Sequence, residues 1–307
     1  MRSRNAALTA IENRAIRSDH ETFMCFLRLV VYPLIMLALR HVPAAPLNAF
    51  IEAIWYWDSP PRPFGKERLM PSGAATVIFN LLEDEVRSYS GNALELVRRL
   101  PGSALTATHS QAFVIDTTEQ TTVMGIEFLP GGTWPFFSWA MDELANQHIA
   151  LKDLWYSHAE SLRAQLLSTR TAREKFSVLE QALLDLAARP IERDGAVDYA
   201  VRALTYAPQI QTIAALGECM SISARKFSRR FTQQVGLKPK TFARIRRFQR
   251  ALEQIGLGQT VDWTDVVAQC GYYDQAHFIH DFRAFSGCSP SEYVERSKVS
   301  LQHVPLD

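Results

Sequence analysis

Between Cys219 and Leu252 lie ten cationic side chains and no carboxylate: Arg225, Lys226, Arg229, Arg230, Lys238, Lys240, Arg244, Arg246, Arg247 and Arg250. Such a one-sign field repels itself unless an anion, typically phosphate, meets it. A solvated basic face is the alternative. From 208 to 298 there are 13 Lys and Arg against 8 Asp and Glu, whereas the whole 307-residue chain carries a formal net charge of only +1. The basic character is therefore regional, and the chemistry it suggests is recognition of a polyanion.

The same region repeats itself at a spacing of 51 residues. Phe227, Phe231, Gly236, Pro239 and Phe242 recur as Phe278, Phe282, Gly287, Pro290 and Tyr293. Repeated apolar and breaker positions point to a duplicated supersecondary unit. In the second copy, Asp262 starts a short helix over 263–269, Gly271 supplies the turn, and Asp274 caps a helix over 275–285. Gly287 ends that helix and Pro290 opens the next. In the first copy the supporting helix spans 212–218, Ser221 sits at the turn, Ser223 is the N-cap, and the second helix spans 224–234. Helix, tight turn, helix is the geometry that lays a second helix in the major groove of DNA. A helix over 239–255, about 25 Å long at 1.5 Å per residue, would link two such units addressing successive grooves about 34 Å apart.

With Phe227 and Phe231 facing inward, Arg225 is the first choice to read a base and Arg229 the second, through bidentate bonds to guanine. Ser228 lies on the same side or its flank. Lys226, Arg230, Lys240, Arg246 and Arg247 divide between phosphate contacts and intramolecular partners. In the second unit Gln275 suits adenine, Ala276 and Ile279 suit a thymine methyl, and His277 and His280 either reach phosphate or pack as ordinary imidazoles.

Other chemistries find less support. Cys25, Cys219, Cys270 and Cys288 form no CxxC pair, and the eight His residues include no HExxH, so neither a disulfide framework nor a metal site is expected. A metal-dependent enzyme on a cupin-like barrel would want clustered His and carboxylates, and His109 lacks a close partner. No cofactor is expected.

Upstream of these units the elements change character. Short apolar stretches at 50–57, 74–82, 111–115 and 123–128, broken by Pro and Gly, predict strands of a barrel or sandwich. Apolar residues at three- and four-residue intervals then predict helices over 141–148, 151–167 and 172–188, the last stopped by Pro190. The fold class is thus α+β. A β-barrel domain with a helical appendix spans 36–189, a linker with one short helix 190–207, an all-α DNA-binding domain 208–300, and a tail 301–307. Residues 1–35 form an apolar extension of uncertain status, with Met36 a candidate start. The run from Phe23 to Leu39 is short for a membrane span and carries Arg28 near its middle; a membrane-tethered regulator is the weaker alternative to a cytoplasmic one.

The stretch Ser223–Phe231, with Gly236 and Pro239, and more closely Gly271–Phe282, with Gly287, Pro290 and Tyr293, resemble the paired signature of the AraC-type transcription regulators. That resemblance implies two helix-turn-helix units, double-stranded DNA as partner, and no enzymatic activity. Three departures stand out: Gly217 and Val267 where the family has a small Ala, Ser221 for a turn Gly, and His280 where Arg is common. Pro46–Trp57, Leu69–Asn80 and Gly125–Gly132 resemble one group of N-terminal regions in the family, implying a degenerate cupin barrel that senses a small effector or mediates a homodimer. Trp55, Trp57, His109, Glu127 and Trp134 are the candidate effector-binding residues, with core packing as the alternative for the aromatic ones.

Overall fold

The computed structural model describes residues 25–30, 35–60, 65–89, 95–118, 120–206, 213–219, 222–257, 260–297 and 300–306. Parts of the apolar run at 23–24 and 31–34, and the turn residue Ser221, lie outside them.

Twelve strands among the described residues build two antiparallel sheets. The larger contains β1 (Cys25–Val30), β2 (Ile35–His41), β3 (Ile51–Asp58), β5 (Thr76–Asn80), β8 (Ser103–Thr106), β10 (Thr122–Phe128) and β11 (His148–Ala150), in the order β1-β2-β3-β10-β5-β8-β11. The smaller contains β4 (Lys66–Leu69), β6 (Glu85–Tyr89), β7 (Leu96–Pro101), β9 (Phe113–Asp116) and β12 (His303–Pro305), in the order β12-β4-β9-β6-β7. The four expected strands are present. The others were missed because their alternation is interrupted by charge, as in Lys66–Leu69 and Leu96–Pro101.

Period-two alternation gives the larger sheet two distinct faces. Ile54, Val77, Phe79, Leu105, Met124, Ile126 and Phe128 share one face and are fully buried against the helical appendix. That appendix consists of α1 (Met141–Leu144), α2 (Lys152–Trp155), α3 (Ser157–Ser168) and α4 (Ala172–Asp185). Leu162, Leu166, Phe176, Leu179 and Leu183 supply its side of the core. The helix expected over 141–148 ends at Leu144, and His148–Ala150 pairs with β8 instead. The helix expected over 151–167 is broken at Tyr156, whose φ of 52° is not helical. The break accompanies docking of Trp155, which stacks on Phe137 with ring centroids 5.2 Å apart and donates to the Phe136 carbonyl at 2.9 Å.

The C-terminal domain is all helical: α5 (Gly195–Tyr206), α6 (Ile213–Cys219), α7 (Ala224–Val235), α8 (Pro239–Ile255), α9 (Trp263–Gln269), α10 (Gln275–Ser286) and α11 (Pro290–Arg296). The segment expected as a linker does contain one helix, α5, but Val197, Ala200, Val201 and Leu204 are buried in the core shared with α7 and α8. The domain therefore begins near Gly195. The expected tail is also structured, since β12 pairs with β4 of the N-terminal sheet and Val304 is fully buried. Of the leading apolar run, Cys25–Val30 and Ile35–His41 pair antiparallel at the edge of the larger sheet. No helix among the described residues is long and apolar enough to cross a membrane.

Candidate nucleic-acid interface and barrel lumen

Each helix-turn-helix unit is set by its caps. Ser223 accepts from the Lys226 amide at the start of α7, and Gly236 ends it in the left-handed conformation at φ 85°. Asp262 accepts from the amides of Thr264 and Asp265 to start α9. Asp274 accepts from the His277 amide to start α10, which Gly287 ends at φ 72°. Pro239 and Pro290 open the helices that follow. Phe227, Phe231, Phe278 and Phe282 are buried, fixing which face of α7 and α10 remains outside. Gly217 has a local reason: a Cβ there would meet the Ile222 carbonyl oxygen at 3.0 Å, so its absence lets α6 approach the turn closely.

The ten-residue basic run separates into two halves. Arg225, Lys226, Arg229, Lys238 and Lys240 are exposed. The other five face the protein. Arg230 pairs with Asp194 at 2.5 Å, and Arg244 pairs with Asp281 at 2.6 Å. Arg246 donates to the Ser72 carbonyl at 3.2 Å. Arg247 lies 5.3 Å over the Tyr272 ring, and Arg250 donates to the Tyr206 carbonyl at 3.5 Å. Burial pulls the Arg246 guanidinium pKa down, although Glu253 and Glu52 oppose the shift. Asp194 also accepts from Gln234 at 3.0 Å. Burial works against its charge, but the Gln234 bond and the Arg230 charge hold its carboxyl below the usual range. Ser228 is half-buried.

On α10, Gln275, Ala276 and His280 are exposed, while Ile279 packs partly against the core. His277 lies edge-on to Tyr272 at 5.4 Å, with its Nε2 3.7 Å from Asp281. His280 approaches the same buried carboxylate at 3.7 Å. Asp281 was missed in the sequence reading, as was Tyr273, which is 92% exposed in the turn before α10. Adjacent tyrosines in the five-residue turn 270–274 carry that signal: Tyr272 enters the core, which leaves Tyr273 outside.

The inward face of the larger sheet looks toward the smaller one. Small apolar contacts among Val86, Leu100, Ala104 and Ala150 join the two sheets at one end. The His148 and Phe113 rings meet across the barrel at 4.9 Å. Strand register carries the same face from Ala104 through Ile78 and Gly125 to Trp55, and from Thr106 through Thr76 to Glu127. Trp55, Trp57 and Glu127 thus share the lumen wall, and all three are half-buried. His109 lies at the end of the barrel, 4.5 Å from Phe113 and 4.8 Å from His148 between ring centroids. Trp134 is elsewhere. It lies 3.8 Å under the Arg189 guanidinium, in an open cleft of about 360 Å³ at the domain seam beside Arg230. Five residues expected near an effector therefore fall into two places, with three of them on one surface. Among the described residues, no three His, Cys, Asp or Glu side chains are grouped to hold a metal.

Residues 216–296 match the family model described as a helix-turn-helix domain, and residues 39–150 match one described as a domain of unknown function (DUF6597). No curated protein matches the chain. Among solved structures, a probable AraC family transcriptional regulator from Rhodopseudomonas palustris is 28% identical, covering 34% of this chain and 100% of its own with a TM-score of 0.31. The C-terminal domain of AraT, a response regulator from Geobacillus stearothermophilus, is 22% identical over 35% of this chain and 89% of its own, with a TM-score of 0.32. ToxT from Vibrio cholerae is 11% identical over 79% of this chain and 96% of its own, with a TM-score of 0.45. Two capped helix-turn-helix units, the first with an exposed basic face, coincide with the matched region, so the chain carries a helix-turn-helix domain of the AraC type at its C-terminal end.

Proposed function

We propose that α7 and α10 enter successive major grooves on one face of operator DNA, and that a small molecule in the barrel lumen controls this binding. The carrying observation is that each recognition helix buries its pair of Phe side chains and exposes groups suited to base edges: Arg225 and Arg229 on α7, Gln275 and Ala276 on α10. Arg225 reads guanine and Gln275 adenine. Lys226, Lys238, Lys240, His280 and the Tyr273 hydroxyl reach phosphate and fix register. Arg230, Arg244, Arg246, Arg247 and His277 hold the module's shape from within. The protein works in the cytoplasm, and a second copy is not required because one chain already presents two reading helices.

The test is selection of bound genomic fragments from the source organism by the purified full chain, with and without candidate effectors. A shared sequence in the retained fragments is expected. Retention without sequence preference would overturn the reading.

A further inference from the structure

The lumen wall carries one carboxylate that its neighbours leave uncompensated. Arg40 donates to the Glu52 carbonyl at 3.3 Å and lies 3.6 Å from the Glu52 carboxylate. His303 pairs with Glu67 at 2.8 Å. Glu127 is left with no ion pair inside 4.0 Å among the described residues, and Arg40, Glu52 and His303 are the charged groups whose fields it feels. Burial, then the Glu52 charge, raises its pKa above the usual carboxylate range.

Around that carboxylate the wall is aromatic and aliphatic. Trp55 lies so flat on β10 that a Cβ at Gly125 would fall 2.2 Å from its ring. Trp57, Ile78, Leu69 and Ile115 line the two facing sheets, and each is half-buried, so each keeps accessible apolar surface that a ligand can cover. A negative charge beside indole faces attracts a cation twice, by charge and by the ring quadrupole.

We propose that the lumen takes a small organic cation, an ammonium or quaternary ammonium on an apolar body, held by Glu127 against Trp55 and Trp57. The proposal rests on the reading of the lumen as an effector site and names the chemistry of its ligand. The opposite wall includes His303 of β12, a strand that follows the DNA-binding helices. Its neighbour Gln302 exchanges hydrogen bonds with Gln249 of α8 at 3.1 and 2.6 Å, and Gln249 also donates to the Pro71 carbonyl at 2.8 Å. A cation between Glu127 and His303 draws the Glu67 carboxylate away from His303, which loads the strand that bridges to the linking helix.

The experiment titrates the full chain with 2-phenylethylammonium, benzyltrimethylammonium and hexylammonium, and with 2-phenylethanol and 3-phenylpropanoate as neutral and anionic counterparts. Calorimetry and tryptophan fluorescence report binding. The ammonium probes should bind at least tenfold more tightly than their counterparts, and Glu127→Gln should remove that preference while leaving the near-ultraviolet circular dichroism unchanged. Binding of the alcohol or carboxylate with equal or greater affinity, lost in Trp55→Ala, would keep the lumen as an effector site and overturn its preference for cations. Binding of none of the five would overturn both.

Discussion

The Thr108 hydroxyl donates to the carbonyl of Val235 at 2.9 Å, fastening the last residue of the first recognition helix to the barrel. The next residue, Gly236, has φ 85°, and a Cβ there would lie 3.1 Å from the Met141 carbonyl oxygen and 3.3 Å from Thr108. Gly236→Ala therefore adds left-handed strain to a tight seam. It should destabilise the chain by roughly 1 to 2 kcal/mol, read as a lower urea midpoint. An unchanged midpoint would mean that the seam opens freely in solution.

The division of the basic run predicts unequal effects on DNA. Arg225→Ala should relax preference at one base position by about 1 to 3 kcal/mol. Lys226→Ala and Lys240→Ala should each lower the magnitude of the log-log salt slope by about 0.9 and weaken binding evenly across sequences. Arg246→Ala should leave that slope alone, because its guanidinium is turned toward Ser72. Binding titrations from 50 to 300 mM salt separate these outcomes; a slope change in Arg246→Ala would place that side chain on phosphate.

Arg244 ties the linking helix to a carboxylate beneath the second recognition helix. The Asp281 side chain is 2% exposed and that of Arg244 is 36% exposed. Removing the cation strands the charge, so Arg244→Met should cost about 2 to 3 kcal/mol, less than a fully buried pair because the guanidinium is partly solvated. The double variant Arg244→Met with Asp281→Asn should recover part of the loss. A double-mutant cycle in denaturant with no coupling between the two would refute the pairing.

His148 gives the barrel a pH dependence of definite sign. Burial, followed by the neighbouring His109, pushes its pKa down to about 3. Burial also lowers His109, despite the hydrogen bond to the Ala107 carbonyl. Unfolded imidazole protonates near pH 6.5, so below that value the unfolded chain binds more protons. The stability is fully present above about pH 6.5 and is lost as pH falls toward 3, at up to about 1.4 kcal/mol per unit for one site. Denaturation at pH 7.5 and 5.5 should show a larger loss for the parent chain than for His148→Gln. Equal losses would assign the proton uptake to other groups.

The helix-turn-helix module was legible because its signals are local. Ser223, Asp262 and Asp274 cap their helices as their types suggest, and Gly236, Gly287, Pro239 and Pro290 stand where helix ends require them. The roles of the arginines were less legible, since facing is set by tertiary partners far away in sequence: Ser72 for Arg246 and Asp194 for Arg230. The lumen was legible only in part. Trp55, Trp57 and Glu127 lie on strands that alternate cleanly, whereas Trp134 sits in a turn whose direction no periodicity records. His303, whose charge acts on Glu127 and whose ring pairs with Glu67, comes from a segment read as a tail.

Strand β12 gives the two domains a shared folding history. The sheet that bears β4 gains its last neighbour only after the whole DNA-binding module has emerged from the ribosome, so that module is topologically an insertion in the barrel. Until then the β4 backbone edge stays open to pairing with another chain, the usual route to aggregation. An isolated barrel cut before residue 195 would carry that edge permanently.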